Sequence, residues 1–187
     1  MRFSLEQGRE LVRYARDSIL NNRAEIKNFG EKRGVFVTLY TYPDKKLRGC
    51  IGFPYPIYPL SKGISMAARS AAYEDPRFHP IENGEEFVVE VSILTEPQEI
   101  KASPAELPSK VKVGEDGLIV ECDGMSGLLL PIVFIEYQCT PEAALEMTCE
   151  KAGLPKDAWK NENCRFLKFQ TQVFAEKKPN GEIEQKL

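Results

Sequence analysis

Polar and apolar positions along the chain follow two periods. Leu5, Leu11, Val12, Ala15 and Ile19 recur at helical spacing behind Ser4, and Ser4 with Gln7 makes a capping-box pair. The pattern predicts a helix that starts at Leu5. Gly30 and Gly34 bracket the end of that segment, and Val35 to Thr41 is β-branched and aromatic, which predicts a strand. Tyr42-Pro43-Asp44-Lys45-Lys46 has turn chemistry, so Leu47 to Phe53 is expected to return as the second strand of a hairpin. Pro54, Pro56 and Pro59 lack an N–H, which makes the Phe53 to Pro59 stretch a rigid aromatic loop. Ser61 to Tyr73, rich in Ala and Met, predicts a helix that Asp75-Pro76 stops.

Phe87 to Leu94 is a strong strand pattern, ended by Pro97. Gly117 to Cys122 and Gly127 to Phe134 flank Asp123-Gly124-Met125-Ser126 and predict a second hairpin. Thr140-Pro141-Glu142 opens a helix with Leu145, Thr148, Cys149 and Ala152 on one face, closed by Gly153 and Pro155. Leu167, Phe169, Thr171, Val173 and Ala175 alternate with polar residues, which predicts one last strand. Lys177 to Leu187 is polar and expected to fray, and Pro104 to Pro108 is a candidate internal boundary. The strands come in antiparallel hairpins and do not alternate strictly with helices, so the class expected is α+β.

Composition narrows the function classes. The 187 residues include 25 Lys plus Arg against 28 Asp plus Glu, a net charge of −3. That balance argues against broad salt-driven binding to a phosphate backbone. A single histidine excludes HExxH centres and any site that needs two imidazoles. The five cysteines, Cys50, Cys122, Cys139, Cys149 and Cys164, form no CxxC and match no zinc-ribbon or iron–sulfur spacing. Most of them read as small buried hydrophobes in a reduced cytoplasmic setting. Met1-Arg2-Phe3-Ser4 leads into charged residues, unlike a signal peptide, and the apolar stretch from Gly127 to Ile135 is broken by Pro131 and too short to span a bilayer.

Three segments carry candidate chemistry. In Leu47-Arg48-Gly49-Cys50-Ile51-Gly52-Phe53, two glycines flank a cysteine within a strand. Gly there marks close approach to the backbone, by a ligand or by a neighbouring helix. Arg48 and Cys50 are two apart and share a face in an extended strand, where the cation would favour the thiolate; the alternative is a packing point with a buried thiol. The loop Tyr73 to Pro80 gathers Asp75, Arg77, Phe78 and His79 between two prolines. Its purely structural reading has Asp75 capping a turn, Arg77 tying it down, Phe78 in the core and His79 on the surface. Asp123 to Pro131 is glycine-rich and could form an anion nest, but it contains no P-loop or dinucleotide fingerprint, and a plain hairpin turn is the favoured reading.

Together these segments resemble the AMMECR domain family, named from the Alport syndrome, midface hypoplasia and elliptocytosis chromosomal region; its prokaryotic members are called AmmeMemoRadiSam system protein A. The LRGCIG signature stands intact as Leu47 to Gly52. The D-x-RF-x-P element stands as Asp75, Arg77, Phe78 and Pro80, E-x-S-x-L-T as Glu90 to Thr95, G-LLLP within Ser126 to Pro131, and KAGL as Lys151 to Leu154. Ile132 stands where relatives often carry Gln before the following Val. The resemblance implies an α+β fold with two unequal subdomains around an antiparallel, partly barrel-like sheet, and a cleft lined by the LRGCIG segment. It also implies partnership with a Memo-like protein and a radical-SAM protein, without naming a reaction.

Two functions follow as expectations. In a thiol-based enzyme, or the catalytic subunit of one, Cys50 is the nucleophile, His79 its base and Asp75 the orienter of that base, while Arg48 or Arg77 holds an anionic substrate group. Gly49 and Gly52 then admit the substrate close to the backbone. In a binding or accessory module, the same residues grip a small molecule or a partner protein without covalent chemistry. Nucleic-acid binding through Arg48, Arg69 and Arg77 is disfavoured, because no zinc finger, RNP-like sequence or long basic run is present. No metal or organic cofactor is assigned.

Overall fold

Helix α1, Leu5–Leu20, begins where the capping box sets it. Ser4 Oγ accepts from the Gln7 N–H at 3.2 Å, and the Gln7 side chain accepts from the Ser4 N–H at 2.9 Å. The computed structural model describes residues 2–21 and 25–186. The chain divides into two compact units, Met1–Glu96 with Gln172–Leu187, and Pro97–Thr171.

The first unit holds α1, β1 (Gly34–Thr41), β2 (Leu47–Phe53), α2 (Leu60–Tyr73), β3 (Phe87–Leu94), β8 (Thr171–Glu176) and β9 (Ile183–Gln185). Its five strands run in the order β2-β1-β3-β8-β9. Val35, Val37 and Leu39 of β1 join Leu11, Val12 and Ala15 of α1 and Ile64, Ala67 and Ala71 of α2 in one apolar cluster. The period-2 alternation of β1 against the 3.6 period of the helices produces that layer. Each fully buried Leu or Ile in it contributes about 1.5–3 kcal/mol. β3 is buried along its whole length, with Glu90 and Ser92 as the polar exceptions.

The second unit holds β4 (Gln98–Glu99), β5 (Gly117–Cys122), β6 (Met125–Leu129), α3 (Pro131–Glu136), α4 (Pro141–Lys151) and β7 (Arg165–Phe169), with short 3-10 turns at Leu107–Lys110 and Lys156–Lys160. Its sheet order is β4-β7-β5-β6. Leu118, Val120, Phe134, Leu145, Cys149, Trp159 and Phe166 make its core. Asp123 and Gly124 both have positive φ (50° and 80°), the geometry of a two-residue hairpin turn.

The architecture is α+β, with antiparallel pairing in the ladders β1–β2, β1–β3, β4–β7, β5–β6, β5–β7 and β8–β9. Neither sheet closes on itself; the first has edges at β2 and β9 and the second at β4 and β6, so the barrel-like closure is not present. The unit boundary falls at Pro97, ahead of the proline pair at 104 and 108. The strand expected over Gly127 to Phe134 stops at Leu129, because Pro131 takes the first position of α3. The single strand expected at the end is two strands in different sheets, divided at Gln170. The segment expected to fray carries β9: Ile183 is buried opposite Glu176, and Lys186 Nζ donates to Glu90 Oε2 at 2.7 Å.

The thiols also divide differently from the expectation that most of them are free, buried hydrophobes. Cys122 and Cys164 form a disulfide, while Cys50, Cys139 and Cys149 are free. Among the described residues no helix is long and apolar enough to cross a membrane.

Candidate functional site

Cys50 sits on β2, an edge strand, opposite Thr38 of β1. Its N–H donates to Asp75 Oδ2 at 2.9 Å, and its carbonyl accepts from Arg77 Nη2 at 3.2 Å. Both backbone groups therefore point away from β1. Such positions alternate along an antiparallel edge, and in them the facing side chains come closest. Thr38 Oγ1 accordingly donates to Cys50 Sγ at 3.3 Å.

Asp75 is the hinge of this arrangement. Its side chain is 2% exposed, and it accepts from the Cys50 N–H, the Arg77 N–H at 3.1 Å, Arg77 Nε at 2.9 Å and Arg77 Nη2 at 2.7 Å. A carboxylate with that many donors is charge-stabilised. The Arg77 guanidinium, with help from the two N–H groups, holds its carboxyl well below the usual range. Asp75 in turn raises the Arg77 value. The bidentate pair fastens the loop after α2 to the outer edge of β2, capping backbone groups that an unguarded edge would expose. Arg77 also lies 5.4 Å from the Phe78 ring centroid. Its side chain stays 52% exposed, and Nη1 makes no hydrogen bond among the described residues.

The thiol itself is half-buried. Burial pushes its pKa up; the Thr38 hydroxyl and the Arg77 charge oppose the rise, and Asp75 and Glu90 add to it. Glu90 stands opposite Thr38 on β3, so Cys50, Thr38 and Glu90 form one row across three strands. Glu90 accepts from Lys186 Nζ at 2.7 Å and from Tyr40 Oη at 3.4 Å. Two pairs along, Ser92 faces Phe36, and its buried Oγ has no hydrogen-bond partner among the described residues. Thr38, Glu90, Ser92 and Lys186 escaped the sequence reading of the site. Glu90 and Ser92, polar residues inside an otherwise apolar strand, were the available signal.

The remaining candidates lie elsewhere. The β1–β2 register shifts between Leu39 opposite Gly49 and Tyr40 opposite Leu47, leaving Arg48 as an extra bulge residue. A bulge breaks the alternation on which the shared face of Arg48 and Cys50 depends. Arg48 instead pairs with Glu85, donating from Nη2 to Oε2 at 3.1 Å, and keeps that carboxyl below its ordinary pKa. His79 is exposed and makes no hydrogen bond to Cys50 or Asp75 among the described residues, so the Cys50–His79–Asp75 relay is not assembled here. Among the described residues no group of three or more His, Cys, Asp or Glu is placed to hold a metal ion.

The glycines of the motif answer to packing. A Cβ on Gly49 would lie 2.1 Å from the Ala71 carbonyl oxygen of α2, and one on Gly52 would lie 2.4 Å from the Phe36 ring and from the Val35 oxygen. Helix backbone, not ligand, occupies the space beside Gly49. Gly49→Ala is expected to cost about 1–3 kcal/mol, because the obstructing atom is main chain and cannot rotate aside. Gly30→Ala, whose Cβ would meet nothing within 4 Å, is the control and should stay within about 0.5 kcal/mol of the parent in urea unfolding. Equal midpoints for the two variants would contradict this packing role.

Comparison with known proteins covers almost the entire chain. Protein MJ0810 of Methanocaldococcus jannaschii is 49% identical over 98% of this chain and 96% of its own length. Protein TV1384 of Thermoplasma volcanium is 48% identical over 94% of this chain and 91% of its own. The crystal structure of uncharacterized protein PH0010 from Pyrococcus horikoshii aligns with a TM-score of 0.88 at 45% identity, covering 97% of both chains. The AMMECR1 family model matches residues 8–174. With that match spanning both units, and with relatives of this identity along nearly the full length, the chain belongs to the AMMECR1 family.

Proposed function

We propose that the Cys50 region is a recognition site in a non-catalytic binding or accessory module, and that Cys50 serves it as a neutral thiol. One observation carries this reading: Asp75 and Arg77, the charged groups at Cys50, are engaged with its main chain, and His79 makes no hydrogen bond to it among the described residues. The hydroxyl that Thr38 donates to the sulfur only partly offsets the effect of burial. A cysteine nucleophile needs a lowered pKa or an adjacent base, whereas burial raises this one. The half-exposed Arg77 side chain, whose Nη1 makes no hydrogen bond among the described residues, suits a carbonyl or carboxylate oxygen of a ligand or partner segment laid along the edge of β2. An accessory place beside a Memo-like and a radical-SAM protein belongs to the same proposal, as does a cytoplasmic setting, in which the Cys122–Cys164 bond is an exception to the usual reduced state of thiols.

The test is the rate of Cys50 alkylation by iodoacetamide against pH, read by peptide mass mapping. At neutral pH the raised pKa leaves less thiolate than in an unperturbed cysteine, so the rate should fall below that of an unstructured peptide thiol. Its inflection should lie above about 8.5, the ordinary value. An inflection at or below neutrality would overturn this reading and restore the nucleophile, with Cys50 as its reacting atom.

A further inference from the structure

We propose that the Pro97–Thr171 unit carries a second, separate binding site, which takes an uncharged bicyclic heteroaromatic molecule against Trp159. A cavity of about 430 Å³ opens between the segment after β4 and the turn that leads into β7. Ligand cavities typically measure roughly 300–1,000 Å³. Ile100, Leu107, Trp159 and Phe166 give this one its apolar wall, and Cys164 and Arg165 adjoin them. All belong to one unit.

Three observations choose the ligand class. Trp159 is only 9% exposed, yet its buried Nε1 has no acceptor among the described residues. An unpaired buried donor is costly, and a ring nitrogen or carbonyl reaching it with a small turn of the indole would relieve that cost. Trp159 and Phe166 contribute aromatic atoms to the lining, which suits an aromatic occupant, with Lys160 Nζ 5.3 Å from the Trp159 ring centroid. Charge argues against an ion: the lining has Lys101 and Arg165 against Glu99 and Glu162, and Arg165 already pairs with Glu99 at 3.0 Å and Glu121 at 3.5 Å.

The chain has one tryptophan, so its emission reports this cavity alone. Quinoxaline, a bicycle with two ring nitrogens, is the probe; naphthalene has the same outline without an acceptor. Quinoxaline should quench Trp159 saturably at one equivalent and bind at least about tenfold more tightly than naphthalene. Ala102→Phe, which fills the cavity from its lining, should abolish the binding while thermal unfolding stays that of the parent. Trp159→Phe, followed by calorimetry, should bind both compounds alike. Absence of saturable quenching in the parent overturns the site, as does undiminished binding in a folded Ala102→Phe protein. A preference for quinoxaline that survives in Trp159→Phe overturns the role of Nε1.

Discussion

Reduction of the Cys122–Cys164 disulfide is expected to destabilise the Pro97–Thr171 unit by about 4 kcal/mol, the loop-entropy value for a separation of 42 residues. The bond ties the end of β5 to the residue before β7, one step beyond the pair Glu121–Arg165, so register alone brings the two Cα atoms to 4.5 Å. Trp159 lies in this unit and reports its unfolding without labels. Urea titration of the oxidised protein and of Cys122→Ser/Cys164→Ser should therefore show the tryptophan transition moving to markedly lower urea in the variant. Thiol titration of denatured, unreduced protein should count three free groups, those of Cys50, Cys139 and Cys149. Five titrating thiols, or coincident urea transitions, would refute the bond. Cys149 would react only after unfolding, since burial pushes its pKa up to about 11.

That bond also marks where the sequence stops being legible. Local signals were sufficient for α1, the β1–β2 hairpin, α2 and α4, because each contains its own cap, turn or periodic face. The disulfide was hidden because five cysteines without a spacing motif give no pairing; only the β5–β7 register does. The sheet switch at Gln170 was hidden for a related reason. The period-2 pattern from Leu167 to Ala175 is continuous, while the partners on either side of Gln170 belong to different sheets. β9 depends on one buried side chain, Ile183, in a polar tail.

The candidate site follows the same division. The motif drew attention to Cys50, Asp75 and Arg77, and the structure brings these three together, though through the Cys50 main chain and not through a histidine. The bulge at Arg48 could not be read from i, i+2 spacing, and it redirects that cation to Glu85. The row Cys50–Thr38–Glu90 needs two strand registers to be visible at all. Polar residues on a buried strand are costly unless paired, and Glu90 meets that requirement with a lysine from the last segment of the chain.

Glu176→Ala should be the most damaging single substitution in the first unit, with an expected loss of about 3–5 kcal/mol for stranding a buried charge. Glu176 and Arg16 have side chains 2% and 7% exposed, and their positions are 160 apart in sequence. Arg16 donates Nε to Oε1 at 2.7 Å and Nη2 to Oε2, and the Val89 N–H reaches Oε2 at 3.0 Å. Arg16 also donates to the Phe87 carbonyl and lies over the Phe87 ring at 4.5 Å. One carboxylate thereby joins α1, β3 and β8, the last of which returns to this unit only after the chain has built the other. Removing it leaves the guanidinium without its counter-ion and the Val89 N–H without its acceptor. Replacing both charges by apolar side chains, Arg16→Met with Glu176→Leu, should recover most of the loss, because desolvation of the pair offsets much of its attraction. The double-mutant cycle in urea measures this coupling. A Glu176→Ala loss below about 1 kcal/mol would be that of a surface pair and would deny the pair its structural role. Its folded fraction should retain the parent's Cys50 alkylation profile, since β2 lies at the opposite edge of the sheet from β9 and its guard, Asp75 with Arg77, is untouched.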